Sequence, residues 1–349
     1  MIELNQDELR FRFPDVHPEA RLNINFQRTL RIPDDGRDYP LPPGLGRFSL
    51  EHVDDHATKV PDDWNKRGGV MLPMYQAEAL WLSFSTSDVD NRASYPFAIK
   101  IATGKINAVS GQGWRQGLNM EPQDYMVSPR QPWLDGYCVE KGLIRQFVAM
   151  PLGQGYTAEE QITGEAEHGG LQVLVYPMKR KAFEQRFPKR EPIRMDYADF
   201  STSVPCVAAM PAVACSAEPT VTMGLAPGGR MKQEIYDDSY DPEDWDLENS
   251  SRCFVHLANS ECWREITGFP PPHKAPTAKD YSYSGLPWFD YYSEDTTAVK
   301  GSKILNKVKS VLEFGKTKDE VPLPENEPAD PQHVVKINDR PRLVREEAN

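Results

Sequence analysis

IRQFVAM (residues 144–150) and LQVLVY (171–176) are the most apolar strand-like stretches of the chain. Runs this short and this rich in Ile, Val, Leu and Phe predict β-strands at the centre of a sheet. Outward from them, LNINFQRTLRI (22–32) sets Leu22, Ile24 and Phe26 on one side of an extended segment, the period-two alternation of a half-buried strand. AEALWLSFS (77–85) and PFAIKIAT (96–103) read as further strands. The second meets Gly104-Lys105 and then Ile106, Ala108 and Ser110, which predicts a β-hairpin. Proline and glycine dominate 33–46 and make it a loop. Pro227-Gly-Gly reads as a turn feeding an alternating strand to Tyr236, a scaffold element.

Helices are few and short. Thr157-Ala-Glu-Glu160 is a capping-box pattern whose helix ends by Gly164. KRKAFEQRF (179–187) stops at Pro188, a third helix runs from Asn259 to Thr267, and Thr277 to Asp280 caps a fourth. Val299, Leu305, Val308 and Leu312 share one face at helical spacing and predict a last helix over 296–314. The 31 prolines are roughly 9% of the chain against a usual level of about 5%. Proline is excluded from helix interiors and central strands, so long helical bundles are disfavoured. Strands come in runs rather than alternating with long helices. The expected class is therefore α+β and β-rich: an antiparallel sheet or sandwich core with short helical decorations and a C-terminal helix. One large unit is expected over 1–315, with GQGWRQGLNMEPQ (111–123) as the place where it could divide. Residues 316–349 turn charged and proline-rich, a flexible tail whose patch His333–Ile337 could pair with a sheet edge.

The formal net charge of −12 and the lack of any Lys/Arg stripe argue against nucleic acid and anionic membrane surfaces as partners. A protein partner, or a neutral or cationic small ligand, fits better. The N-terminus has no basic segment followed by an apolar run, and nothing approaches the ~18 apolar residues of a membrane span. Five cysteines (138, 206, 215, 253 and 262) are an odd number without paired spacing, so reduced thiols and a cytoplasmic address are expected.

Two motifs carry candidate chemistry. Gly153-Gln-Gly155-Tyr-Thr-Ala158 fits G-x-G-x-x-A between a strand and a capped helix, where glycines let backbone amides approach an anionic group. Its helix is short for a crossover, and no acid follows the next strand to take a ribose hydroxyl. Gly164-Glu-Ala-Glu-His-Gly-Gly170 then places Glu165, Glu167 and His168 together, residues able to move a proton or hold a metal, or simply to form a solvated turn. Other matches fail on their own terms. His52 and His56 have i, i+4 spacing, but Val53 stands where a zincin needs Glu. The acidic run 237–248 has calcium-loop spacing, but Pro242 replaces the required glycine. Gly315-Lys316-Thr317 lacks the earlier P-loop glycine, since Ser310 stands there.

YSYSGLPWFDYY (281–292) concentrates aromatics with polar handles, and Tyr281, Trp288 and Tyr291 are candidate ligand contacts, or else part of a satellite core. PWLDGYCVEKGLIRQFVAMPLGQGYTAEEQITGEAEHGGLQ (132–172) and GLPWFDYY (285–292) resemble an uncharacterised family of bacterial and fungal proteins, a likeness that brings no activity with it. Two functions remain. One is a non-enzymatic intracellular binding or interaction protein needing no cofactor. The other is an enzyme or ligand sensor with a nucleotide- or metal-dependent site around residues 153–168.

Overall fold

The computed structural model describes residues 1–189, 220–292 and 297–338. Cys206 and Cys215, and the last residues of the expected tail, lie outside them. Among the described residues seventeen strands join in one β-rich, largely antiparallel sheet. One run of neighbours is Glu8–Arg12, Arg21–Thr29, Ala79–Thr86, Leu143–Pro151 and Thr222–Lys232. A second is Phe97–Thr103, Leu171–Pro177, Ser251–Asn259 and Val70–Met74, the last pair parallel. Thr222 and Met223 pair with Ala258 and Leu257 and so tie the two runs together.

The apolar stretches that predicted central strands are central. Every residue of Leu143–Pro151 and of Leu171–Pro177 is buried. The hairpin forms where Gly104 and Lys105 both take positive φ, +49° and +62°, and set Ala102 opposite Asn107. That backbone is what a tight two-residue turn requires.

Two expectations need correction. Pro227-Gly-Gly is no turn but the interior of Thr222–Lys232, with Pro227 opposite Phe147. Its register shifts between Arg145 and Phe147, and such a bulge accommodates a proline inside a sheet. A Cβ on Gly229 would come within 2.4 Å of the Pro33 carbonyl, so the glycine there serves close packing. The single helix over 296–314 is replaced by a 3-10 turn at Leu305–Lys307 and a helix at Val311–Lys316. Backbone bonds from Val299 N–H to the Ile235 carbonyl and from Ser302 N–H to the Cys138 carbonyl keep 299–302 out of a helix, and Gly301 takes a φ of +79°. Ser310 then caps the later helix with Glu313. His52 ends a short strand while His56 closes a 3-10 turn, so their rings share no helical face.

The other short helices form near their expected places, Ala158–Thr163 with its Thr157–Glu160 capping box complete. An unexpected one, Asp62–Arg67, buries Trp64. Residues 317–338 lie against the body, where Val334–Asn338 pairs in parallel with Trp288–Tyr292. No helix among the described residues is long and apolar enough to cross a membrane.

Candidate functional site

Two adjacent glutamates organise the segment that carries both motifs. The Glu160 carboxylate accepts from Gly153 N–H at 2.9 Å, Gly155 N–H at 2.7 Å, Thr157 N–H at 3.1 Å and the Thr157 hydroxyl at 2.7 Å. The donors that a dinucleotide fingerprint turns toward a phosphate are therefore engaged by the chain's own carboxylate. Gly155 also packs against Phe314, and a Cβ there would stand 2.8 Å from its ring.

Glu159 does the same for the other motif. It is 3% exposed and accepts from Glu167 N–H at 3.2 Å, His168 N–H at 2.8 Å and Gly169 N–H at 2.8 Å. His168 Nδ1 lies 3.0 Å from the same carboxylate. The three predicted chemical residues thus separate in kind. His168 is buried, Glu165 is exposed, and the Glu167 side chain is 63% exposed with an oxygen 3.6 Å from His168 Nδ1. Arg67 fastens the turn by donating to the His168 and Glu167 carbonyls. Its guanidinium also stacks on Phe254, which stacks on His256, which stacks on Trp64. Among the described residues no three His, Cys, Asp or Glu side chains stand together as metal ligands.

The aromatic segment packs inward instead of displaying its rings. Trp288 is fully buried in a small core with Tyr39 and Leu41, and its indole N–H donates to the Ser282 hydroxyl. Tyr281 is buried in the same core and donates to the Pro287 carbonyl, while Tyr291 meets Trp133 edge-on at 4.7 Å. Tyr283, by contrast, is 94% exposed.

A larger cleft lies elsewhere among the described residues, between residues 109–123 and 299–304, with a volume of about 630 Å3. That is the size of a small-molecule site. Val109, Ser110 and Ser302 are its buried floor, Met120 and Val299 flank it, and Glu121, Lys300 and Lys303 are exposed at its edge. None of the predicted site residues lines it.

Both walls are pinned. On one side the Ser302 hydroxyl donates to the Ser110 carbonyl. On the other, Lys100, 1% exposed, pairs with Asp124 at 2.7 Å and donates to the Arg115 and Gly117 carbonyls. Asp124 also accepts from Asn119 N–H, so one buried ion pair shapes the 115–124 wall. Lys100→Met is expected to destabilise the fold by about 3–5 kcal/mol in urea unfolding, because it strands the Asp124 carboxylate. Adding Asp124→Asn should restore part of that loss; if it restores none, the pair is not what holds the wall.

Sequence reading missed this cleft because its walls meet only through long-range pairing. Glu159 stands close to the 164–170 motif in sequence, but a capping pattern assigns a role to Glu160 alone, so its part in holding the turn was not foreseen. No protein-family model, curated protein or solved structure matches this chain.

Proposed function

We propose that the protein is a non-enzymatic binding protein whose ligand site is the cleft between residues 109–123 and 299–304. The observation that carries this is a small-molecule-sized space between two walls fixed in place before any ligand arrives. Preorganised walls spare the ligand the ordering cost that a floppy loop would impose. The floor and flanks supply Val109, Met120 and Val299 as apolar contacts, and acids and lysines at the edge offset one another. The ligand is accordingly a neutral molecule with an apolar body and a polar end.

The rival reading, an enzyme or sensor at 153–168, draws on the Glu159–His168 contact, but the amides it would use are engaged by Glu159 and Glu160. Residues 1–315 are read as one folding unit with its strand runs closed as a sandwich, because Ile24, Leu82, Ile99, Val173 and Leu257 share one core. Buried thiols at Cys138 and Cys253, each pushed up to about 12 by burial, suit a reducing cytoplasm and are poor nucleophiles.

A thermal-shift screen of neutral small molecules tests the site. Ile304 lines the cleft and is 41% exposed, so Ile304→Trp should fill the space without disturbing the core. Hits should stabilise the native chain and lose at least about tenfold in affinity on Ile304→Trp. Hits that bind the variant equally well would place the site elsewhere.

A further inference from the structure

Arg10, Arg12 and Arg21 converge on one recess of the sheet surface. Along Glu8–Arg12 the buried residues Leu9 and Phe11 alternate with Arg10 and Arg12, so both arginines stand on the face away from the core. Arg21 lies directly across from Arg12 on the neighbouring strand and shares that face. Like charges set directly opposite weaken a sheet, and an anion between them would offset that cost.

The three side chains are lightly used within the protein. Arg12 Nη1 meets Glu3 at 3.1 Å, and Arg10 Nε donates to Asn23 at 3.3 Å. Arg21 donates from Nε and Nη2 to the Ser87 hydroxyl at 3.1 and 3.0 Å. Among the described residues neither Arg10 nor Arg21 forms an ion pair. Arg12 and Arg21 are exposed and Arg10 is half-buried, so a ligand in the recess can reach all three. The recess holds about 200 Å3, and Glu19, Ser87 and Asp88 line it with the arginines. Glu19 is exposed, and Asp88 accepts from the Ser94 hydroxyl at 2.6 Å. No lining residue is shared with the cleft between 109–123 and 299–304.

We infer that this recess binds a small phosphate monoester of a polyol, its phosphate held by the three guanidiniums and its hydroxyl groups donating to Glu19 and Asp88. Guanidinium forks match phosphate oxygens, and three of them can serve three terminal oxygens where a carboxylate offers two. Ionised Glu19 and Asp88 only accept, so a bare anion would leave them facing it, whereas hydroxyl donors satisfy them. The space falls below the roughly 300 Å3 at which drug-sized sites begin, which suits a short chain and not a nucleotide. The net charge of −12 conceals such a site, because it averages over the whole chain a field that acts locally. Water is the competing occupant.

Calorimetric titration of the full chain at about pH 7.5, where the ester is mostly a dianion, compares glycerophosphate, inorganic phosphate and glycerol. Glycerophosphate should bind saturably, inorganic phosphate at least about tenfold more weakly, and glycerol not at all. Arg10→Gln and Arg21→Gln should each weaken glycerophosphate by about tenfold or more. Both should keep the native unfolding temperature, since neither side chain enters the core. Arg180 is exposed outside the recess, so Arg180→Gln should leave the affinity unchanged. No saturable heat from glycerophosphate, equal binding of inorganic phosphate, full affinity in either recess variant, or the same loss in Arg180→Gln would each overturn the inference.

Discussion

Replacing Glu159 by alanine should destabilise the protein by about 3–5 kcal/mol in urea unfolding, far more than replacing its neighbours in the same motif. The substitution strands the buried backbone donors of His168 and Gly169 and the part-buried one of Glu167, and leaves the His168 ring without the Glu159 carboxylate. Glu159→Gln should be nearly as damaging. An amide has one acceptor oxygen where the carboxylate has two, so an NH2 group must face either the Gly169 amide or the cluster at His168. The pocket has no slack, since a Cβ on Gly104 would come within 2.2 Å of Glu159 Oε2. Glu165→Ala and Glu167→Ala, at exposed positions, should stay within about 0.5 kcal/mol of the native protein. If Glu167→Ala cost as much as Glu159→Ala, the buried carboxylate would not be the organiser of this turn.

The second large effect is a pair of opposed pH dependences. Asp135 is buried against Gln233, and loss of hydration pushes its carboxyl up to about 7, despite hydrogen bonds from Trp133 and Gln233. Its folded value lies above the ordinary carboxyl range, so the stability it contributes is full below about pH 4 and is lost as pH rises through 7. His256 is the reverse. Stacked at 4.5 Å on both Trp64 and Phe254, it is pushed down to about 4 by burial, partly countered by its contact with the Gly68 carbonyl. Its contribution is full above about pH 6.5 and is lost as pH falls through 4.

Each shift corresponds to roughly 3–4 kcal/mol, so between about pH 4 and 6.5 the two slopes largely cancel. Glu78 and Asp34, both raised by burial, add to the Asp135 side. Relative to the native chain, Asp135→Asn should therefore shift the slope of stability against pH upward across that window, and His256→Gln should shift it downward. Urea midpoints measured at half-unit pH steps read both changes. Shifts of the same sign in the two variants would contradict the assignment.

The sheet was legible because its central strands are apolar on both faces, as in Leu171–Pro177, and because Gly104-Lys105 announces a hairpin. The helix over 296–314 was misread because helical spacing of Val299, Leu305, Val308 and Leu312 coincides with a segment whose backbone bonds to Ile235 and Cys138. Local pattern cannot weigh a bond from Ser302 to Cys138, which are far apart in sequence. The aromatic cluster was visible, but its direction was not: Trp288 faces inward because Val334–Asn338 pairs along its strand. The glycine and histidine motifs were found, yet their meaning depended on which carboxylates enter them. Glu159 and Glu160 point to opposite loops, a difference that adjacent identical letters cannot express.

We propose a neutral small molecule as the ligand of the cleft between residues 109–123 and 299–304. Calorimetric titration of the strongest screening hit into the native chain and into Ile304→Trp tests it most directly. A saturable heat in the native protein that vanishes in a variant of unchanged stability is the predicted result. The same affinity in both proteins would contradict it.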